Sequence, residues 1–166
     1  KSCRPDYRMD EPFGVLAVRI AADHEESEEI WQVRRNVSPS LRRVNPDKFN
    51  EDIVVPRSKV PDMIRALEKI STSYGVPIVN FGHAGDGNVH VNILKNTLDE
   101  ETWERVNDPA IREIFALTVS LGGTISAEHG IGYVQRSYLP IGVSQVELGL
   151  MREIKRVFDP KGILNP

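Results

Sequence analysis

The chain has 166 residues, 40% of them apolar, and a formal net charge of -3. That length supports one compact domain with a core of its own, and the dispersed, mildly acidic charge argues against a nucleic-acid backbone or an anionic membrane as main partner. No apolar run approaches the roughly 18 to 20 residues of a spanning helix, no secretory pattern opens the sequence, and the lone Cys3 has no internal partner, so a cytoplasmic setting is expected, at most peripheral to the inner membrane.

In chain order, Phe13 to Ile20 (FGVLAVRI) is β-rich after the breaker Glu11-Pro12 and reads as a first strand. From His24 to Val37, Ile30, Val33 and Val37 recur at helical spacing behind Glu25, Glu26, Glu28 and Glu29, acids that suit a helix N-terminus; this helix is expected to end before Pro39. Glu51 to Val55 (EDIVV) reads as a short strand stopped by Pro56, with Lys48 in the loop ahead of it. Ser58 is placed to cap a second helix whose Val60, Ile64, Leu67 and Ile70 form one apolar stripe up to Gly75. Val76 to Gly82 (VPIVNFG) and Val89 to Leu94 (VHVNIL) are strands joined across Gly-Asp-Gly, a strong hairpin signal. Helical patterns run from Asp99 to Val106 and from Asp108 to Leu121, the second capped by Asp108 with Pro109 at its first position and stopped by Gly122-Gly123. Thr124 to Ser126 reads as a short strand and Ser144 to Phe158 as a final helix. Hairpins mixed with helices predict an α+β fold with a mostly antiparallel sheet.

Two stretches concentrate chemistry. In Gly82 to His90 (GHAGDGNVH), a two-residue turn centred on Asp86-Gly87 places His83 directly opposite His90, with Asn92 on the same face. Two imidazoles so placed can converge on one metal, but they lack a third ligand at short range, and a strand histidine is commonly just a hydrogen-bonded structural residue. The second stretch, Gly122 to Gly132 (GGTISAEHGIG), bunches glycines around Glu128 and His129, as where backbone passes close to a ligand. Glu128 could complete a His, His, Glu set that leaves positions open for water or substrate, and His129 would remain free as a base. A surface loop with an ion pair is the plain alternative. Arg34, late in the first helix, could grip a carboxylate in bidentate fashion, and Lys48 could support the same charge.

GHAGDGNVH, GGTISAEHGIG and the closing Phe158 to Pro166 (FDPKGILNP) together resemble the C-terminal domain of FAD-linked oxidases of the vanillyl-alcohol-oxidase type, and most of all the group of glycolate oxidase subunits, D-lactate dehydrogenases and D-2-hydroxyglutarate dehydrogenases. Trp31 to Arg35 and Glu51 to Pro56 fit as well, so the resemblance covers residues 13–166; residues 1–12 match poorly. It implies a ferredoxin-like α+β domain, its sheet covered by helices on one side, that closes over a flavin carried by another domain of the same protein. It further implies a divalent ion, zinc or manganese, on His83, His90 and Glu128; His129 facing the substrate; Asn92, Arg34, Ser38 and Lys48 binding it; and Asn165 in the closing motif near the cofactor. The ends of the chain, at Lys1 and Pro166, and the short segment before Trp31 fit a fragment that lacks the FAD-binding domain.

The activity so implied is oxidation of a small D-2-hydroxy acid. Arg34 anchors the carboxylate, the metal lowers the pKa of the 2-hydroxyl, His129 takes its proton, and the Cα hydride passes to N5 of FAD, with either an electron-acceptor protein or oxygen downstream. The chain alone is expected to be inactive. Two other readings use the same ligands: a metal-dependent hydrolase or lyase, and a non-catalytic metal-stabilised interaction module.

Overall fold

The computed structural model describes residues 20–165, so the strand expected at 13–20 lies, but for its last residue, outside the described residues. The chain divides between Leu41 and Arg42 into two units. The first carries most of α1 (His24–Val44), which continues through Pro39 where an end was expected. A helical proline withdraws one N–H and crowds the carbonyl four residues back. No α1 residue is buried, so water can satisfy the carbonyl that is freed.

The second unit holds β1 (Lys48–Val54), α2 (Val60–Tyr74), β2 (Ile78–His83), β3 (Asn88–Leu94), α3 (Glu100–Ser120), the short α4 (Leu139–Gly142) and α5 (Gln145–Phe158). Its three strands form one antiparallel sheet in the order β1-β3-β2. The class is α+β, as expected. Both outer strands run antiparallel to β3 and hence parallel to each other, with α2 as the crossover between them. Thr124 pairs with Val54 in a single bridge on the free side of β1, where a short strand was expected.

Alternation along the strands separates the two faces of the sheet. Ile53, Val89, Val91 and Ile93 pack with Met63, Leu67 and Ile70 of α2 and Ile111, Ile114 and Phe115 of α3 into one core. The opposite face carries Asp52, Asn88, His90 and Asn92, all buried and all polar. Helices therefore cover one face, and the chemistry-bearing side chains occupy the other.

Several boundaries differ from expectation, among them β2, which runs Ile78–His83 where Val76 to Gly82 was expected. Lys48 begins β1 instead of preceding it in a loop. Ser58 does not cap α2: a short 3-10 turn, Arg57–Lys59, leads into the helix, and Pro61 in the first turn needs no N–H partner. The two helical patterns around Pro109 form one helix, α3, whose cap is Asp99; Asp108 instead pairs with Arg112 at 2.7 Å and accepts the Tyr138 hydroxyl at 2.8 Å. With the Pro109 N–H already lost, burial of Ala110, Ile111, Ile114 and Phe115 keeps the helix continuous. The final helix starts as expected, on a Ser144–Glu147 capping box.

One carboxyl lies on the helix-facing side. Glu51 stands opposite Val91 in register, is 3% exposed, and accepts a hydrogen bond from the Gln135 side chain. Burial pushes its pKa from 4.5 up to about 7, with the neighbouring Asp52 charge adding to the rise and the Gln135 bond opposing it. The folded state thus holds this proton to higher pH than the unfolded chain. Its contribution is fully present below the unfolded value and is lost as pH rises through about 7. Glu51→Gln should therefore gain stability relative to the parent between pH 5 and pH 8, by on the order of 2–3 kcal/mol. Urea denaturation of both proteins at the two pH values checks this; parallel pH profiles would refute it.

Candidate metal and substrate site

The hairpin is longer than the two-residue turn expected. Residues 84–87 form a four-residue loop, so His83 pairs with Asn88, and Phe81 lies opposite His90. The register differs by two residues along the strand, and a shift of two preserves the face. His83 and His90 therefore remain together as diagonal neighbours, with ring centroids 5.6 Å apart. Gly87, at φ +85°, closes the loop beneath β1, and its carbonyl accepts the Val55 N–H at 3.1 Å.

The third ligand arrives from the glycine-rich segment. Thr124 exchanges backbone hydrogen bonds with Val54, and Ala127 donates to the Asp52 carbonyl at 3.0 Å, so the segment follows β1 before it bends. The bend brings Glu128 Oε1 to 3.2 Å from His83 Nε2 and 4.0 Å from His90 Nε2. All three donor atoms lie within 4.8 Å of one another. Two imidazole nitrogens and a carboxylate oxygen so gathered are a fitting donor set for a divalent ion, with positions left over for a further ligand. His129, the next residue, stacks on His90 with centroids 5.6 Å apart and an interplanar angle of 22°. Burial holds His90 below its ordinary pKa against the raising influence of Asp52 and Glu128, which favours the neutral, metal-binding form.

Asp52, which the sequence reading passed over, lies at the centre of this arrangement. It faces His90 across the β1–β3 ladder. Its Oδ2 accepts the backbone N–H of Glu128 at 2.6 Å and of His129 at 2.9 Å, and its Oδ1 accepts the Asn88 amide at 2.7 Å. His90 Nδ1 stands 3.4 Å from Oδ1, and His129 Nδ1 3.6 Å from Oδ2. Burial alone would raise the Asp52 pKa, but the Asn88 bond and the two backbone N–H groups outweigh it and hold the carboxyl below its usual range. Asp52, His90 and His129 also form a second set of potential donors. With both oxygens of Asp52 already hydrogen-bonded, the set on His83, His90 and Glu128 has the freer lone pairs. The signal for Asp52 was present in EDIVV: adjacent acids in a strand must face opposite ways, one into the core and one onto the polar face.

Two further site residues meet beside this cluster. The Lys48 ammonium donates to Asn92 Oδ1, while Asn92 Nδ2 donates to the Val79 carbonyl at 3.3 Å. Burial, then the nearby Arg42 charge, lowers the Lys48 pKa. Asn92 lies on the same face as His90 and two residues further along β3, a step of about 7 Å. Arg34 and Ser38 stand one turn apart on α1 in the first unit. Asn165, at φ +50°, follows the turn in which Asp159 accepts the N–H groups of Ile163 and Leu164 at 2.9 and 3.0 Å. Among the described residues no helix is long and apolar enough to cross a membrane.

Residues 8–166 match the family described as FAD linked oxidases, C-terminal domain, and the chain belongs to that family. It is 37% identical over 151 residues to glycolate oxidase subunit GlcD of Bacillus subtilis, covering 91% of this chain and 32% of that protein. A D-lactate dehydrogenase of Archaeoglobus fulgidus is 35% identical over 159 residues, 96% of this chain and 34% of the relative. A D-2-hydroxyglutarate dehydrogenase of Stutzerimonas stutzeri is 34% identical over 155 residues, 92% and 33% respectively. The chain thus spans about a third of the length of these relatives.

The loop that aligns the two histidines depends on Gly87. A Cβ there would stand 2.0 Å from the Val55 carbonyl oxygen, at a φ that L side chains rarely adopt. Gly87→Ala should destabilise the protein by at least about 2 kcal/mol, read in urea denaturation, and an unchanged midpoint would show that the turn relaxes freely.

Proposed function

We propose that this chain is the substrate- and metal-binding domain of a flavin-dependent D-2-hydroxy-acid dehydrogenase. The observation that carries the reading is the convergence of His83, His90 and Glu128 from three separate segments, with His129 stacked beside them. Family membership supports an oxidoreductase over a metal-dependent hydrolase or a non-catalytic module that would use the same ligands.

In this reading His83 Nε2, His90 Nε2 and Glu128 Oε1 hold a divalent ion, zinc or manganese. Such an ion, when bound, supplies a positive charge that lowers the pKa of a substrate hydroxyl. His129 accepts the hydroxyl proton as the C2 carbon becomes a carbonyl. The FAD borne by the remainder of the whole protein supplies the acceptor for the Cα hydride. Lys48, whose ammonium rests on the buried Asn92 about 7 Å along β3 from His90, gives the carboxylate a cation. Asn92, already hydrogen-bonded at both ends of its side chain, keeps its substrate contact on sequence resemblance alone. Arg34 and Ser38 keep the carboxylate-binding role, and Asn165 the cofactor contact, on sequence resemblance alone. The split β1-α2-β2 crossover, with Thr124 bridging the free side of β1, supports a ferredoxin-like fold whose fourth strand is reduced to one bridge.

The full-length, metal-replete protein should show flavin bleaching with D-2-hydroxy acids and not with their L enantiomers. His129→Asn should slow flavin reduction at least about 100-fold if the imidazole is the base. Stopped-flow absorbance measures the step, and a near-normal rate would remove His129 from that role.

A further inference from the structure

We propose that Asp52 is the positioning residue of this site: it sets the tautomer of His90 and the bend that carries Glu128 and His129, so the metal donors are aligned before an ion arrives. The inference rests on the metal reading above. An ionised carboxylate only accepts hydrogen bonds, so it favours the proton on the His90 nitrogen facing it, Nδ1, at an ion-pair distance of 3.4 Å. That leaves the Nε2 lone pair bare on the side of Glu128 Oε1. The other carboxylate oxygen holds the consecutive N–H groups of Glu128 and His129, at 2.6 and 2.9 Å, which secures the bend at the two residues whose side chains do the work. One side chain thus reaches a ligand on β3 and a ligand on the loop, while Asn88, at 2.7 Å, holds it from a third direction. Carboxylate partners of this kind fix the ring orientation and basicity of metal-binding histidines.

Asp52→Asn separates the two functions of the carboxylate. The new amide oxygen can still accept the two backbone N–H groups, which keeps the bend. The NH2 group then faces His90 Nδ1 and Asn88, whose buried Oδ1 has no hydrogen-bond partner and can accept once that amide turns over and gives up its 3.1 Å bond to the Ile53 carbonyl. His90 Nδ1 becomes an acceptor, and its proton moves to Nε2, the atom required by the ion.

The test uses full-length protein labelled with 15N-histidine and loaded separately with zinc or manganese. The metal-free parent should show His90 in the Nδ1–H tautomer by long-range proton–nitrogen correlation; an Nε2–H tautomer would overturn the proposal whether or not any variant folds. Asp52→Asn should invert that tautomer and weaken the metal Kd by about 10- to 100-fold in chelator competition. Its metal-free unfolding midpoint should fall only slightly, through loss of the Asn88 bond to the Ile53 carbonyl, because the two backbone N–H groups of the bend keep their acceptor. An unchanged Kd together with an unchanged tautomer would overturn the proposal. A parent protein that binds neither ion would instead overturn the metal reading, and the tautomer of the metal-free parent would still decide the role of Asp52.

Discussion

A buried carboxylate on β1 holds the site together. Asp52 is only 2% exposed, and it meets His90 across the sheet, Asn88 at the start of β3, and the backbone of Glu128 and His129 in the glycine-rich bend. A charge so placed is tolerable only when donors surround it. Those donors come from segments up to 77 residues away in sequence. Satisfying the charge therefore fixes the loop against the sheet, and the geometry around His83 follows from that.

The adjacent acid solves the opposite problem. Glu51 points into the helix-facing layer, where Gln135 is its hydrogen-bond partner and burial favours its protonated form. Neighbouring residues of one strand thus sit in opposite electrostatic regimes, one carboxyl held charged and one pushed toward neutrality. The difference lies in donor count: Asp52 has an amide and two backbone N–H groups, whereas Glu51 has a single side-chain amide. Gln135 also lies beyond the bend, so both acids of β1 grip the same stretch of chain from opposite faces of the sheet.

Much of this was legible in the sequence, and the misses have physical causes. The α+β class, the hairpin, Gly75 and Gly122-Gly123 as helix stops and the start of the final helix at Ser144 follow from local chemistry, and local chemistry decided them. The turn is longer than expected because Asp-Gly favours a two-residue loop, while the contact of Gly87 with Val55, just after β1, is a tertiary constraint that no local pattern reveals. The error broke the direct pairing of the two histidines, since His83 now faces Asn88, but left both on one face because strand alternation has a period of two. Pro39 marks the expected end of the first helix and Pro109 the expected first position of a new one, but exposure in one case and core burial in the other let the helices continue. In EDIVV, strand alternation already puts Glu51 and Asp52 on opposite faces, but it does not show which groups meet Asp52, because they lie far away in sequence on β3 and in the bend.

The three donors differ in how firmly the fold holds them, and that gradation has chemical consequences. His90 sits on the central strand, every residue of which is buried. His83 ends an edge strand, and Glu128 occupies a bend, its side chain about half exposed. A donor on a central strand is positioned more precisely than one on a loop, so His90 supplies the fixed reference and Glu128 the adjustable arm. His129 shares the bend with Glu128 but stacks on the ring of His90. With the backbone N–H groups of both residues held by Asp52, Glu128 adjusts to an ion by rotating its half-exposed side chain, while His129 keeps its place against the fixed imidazole.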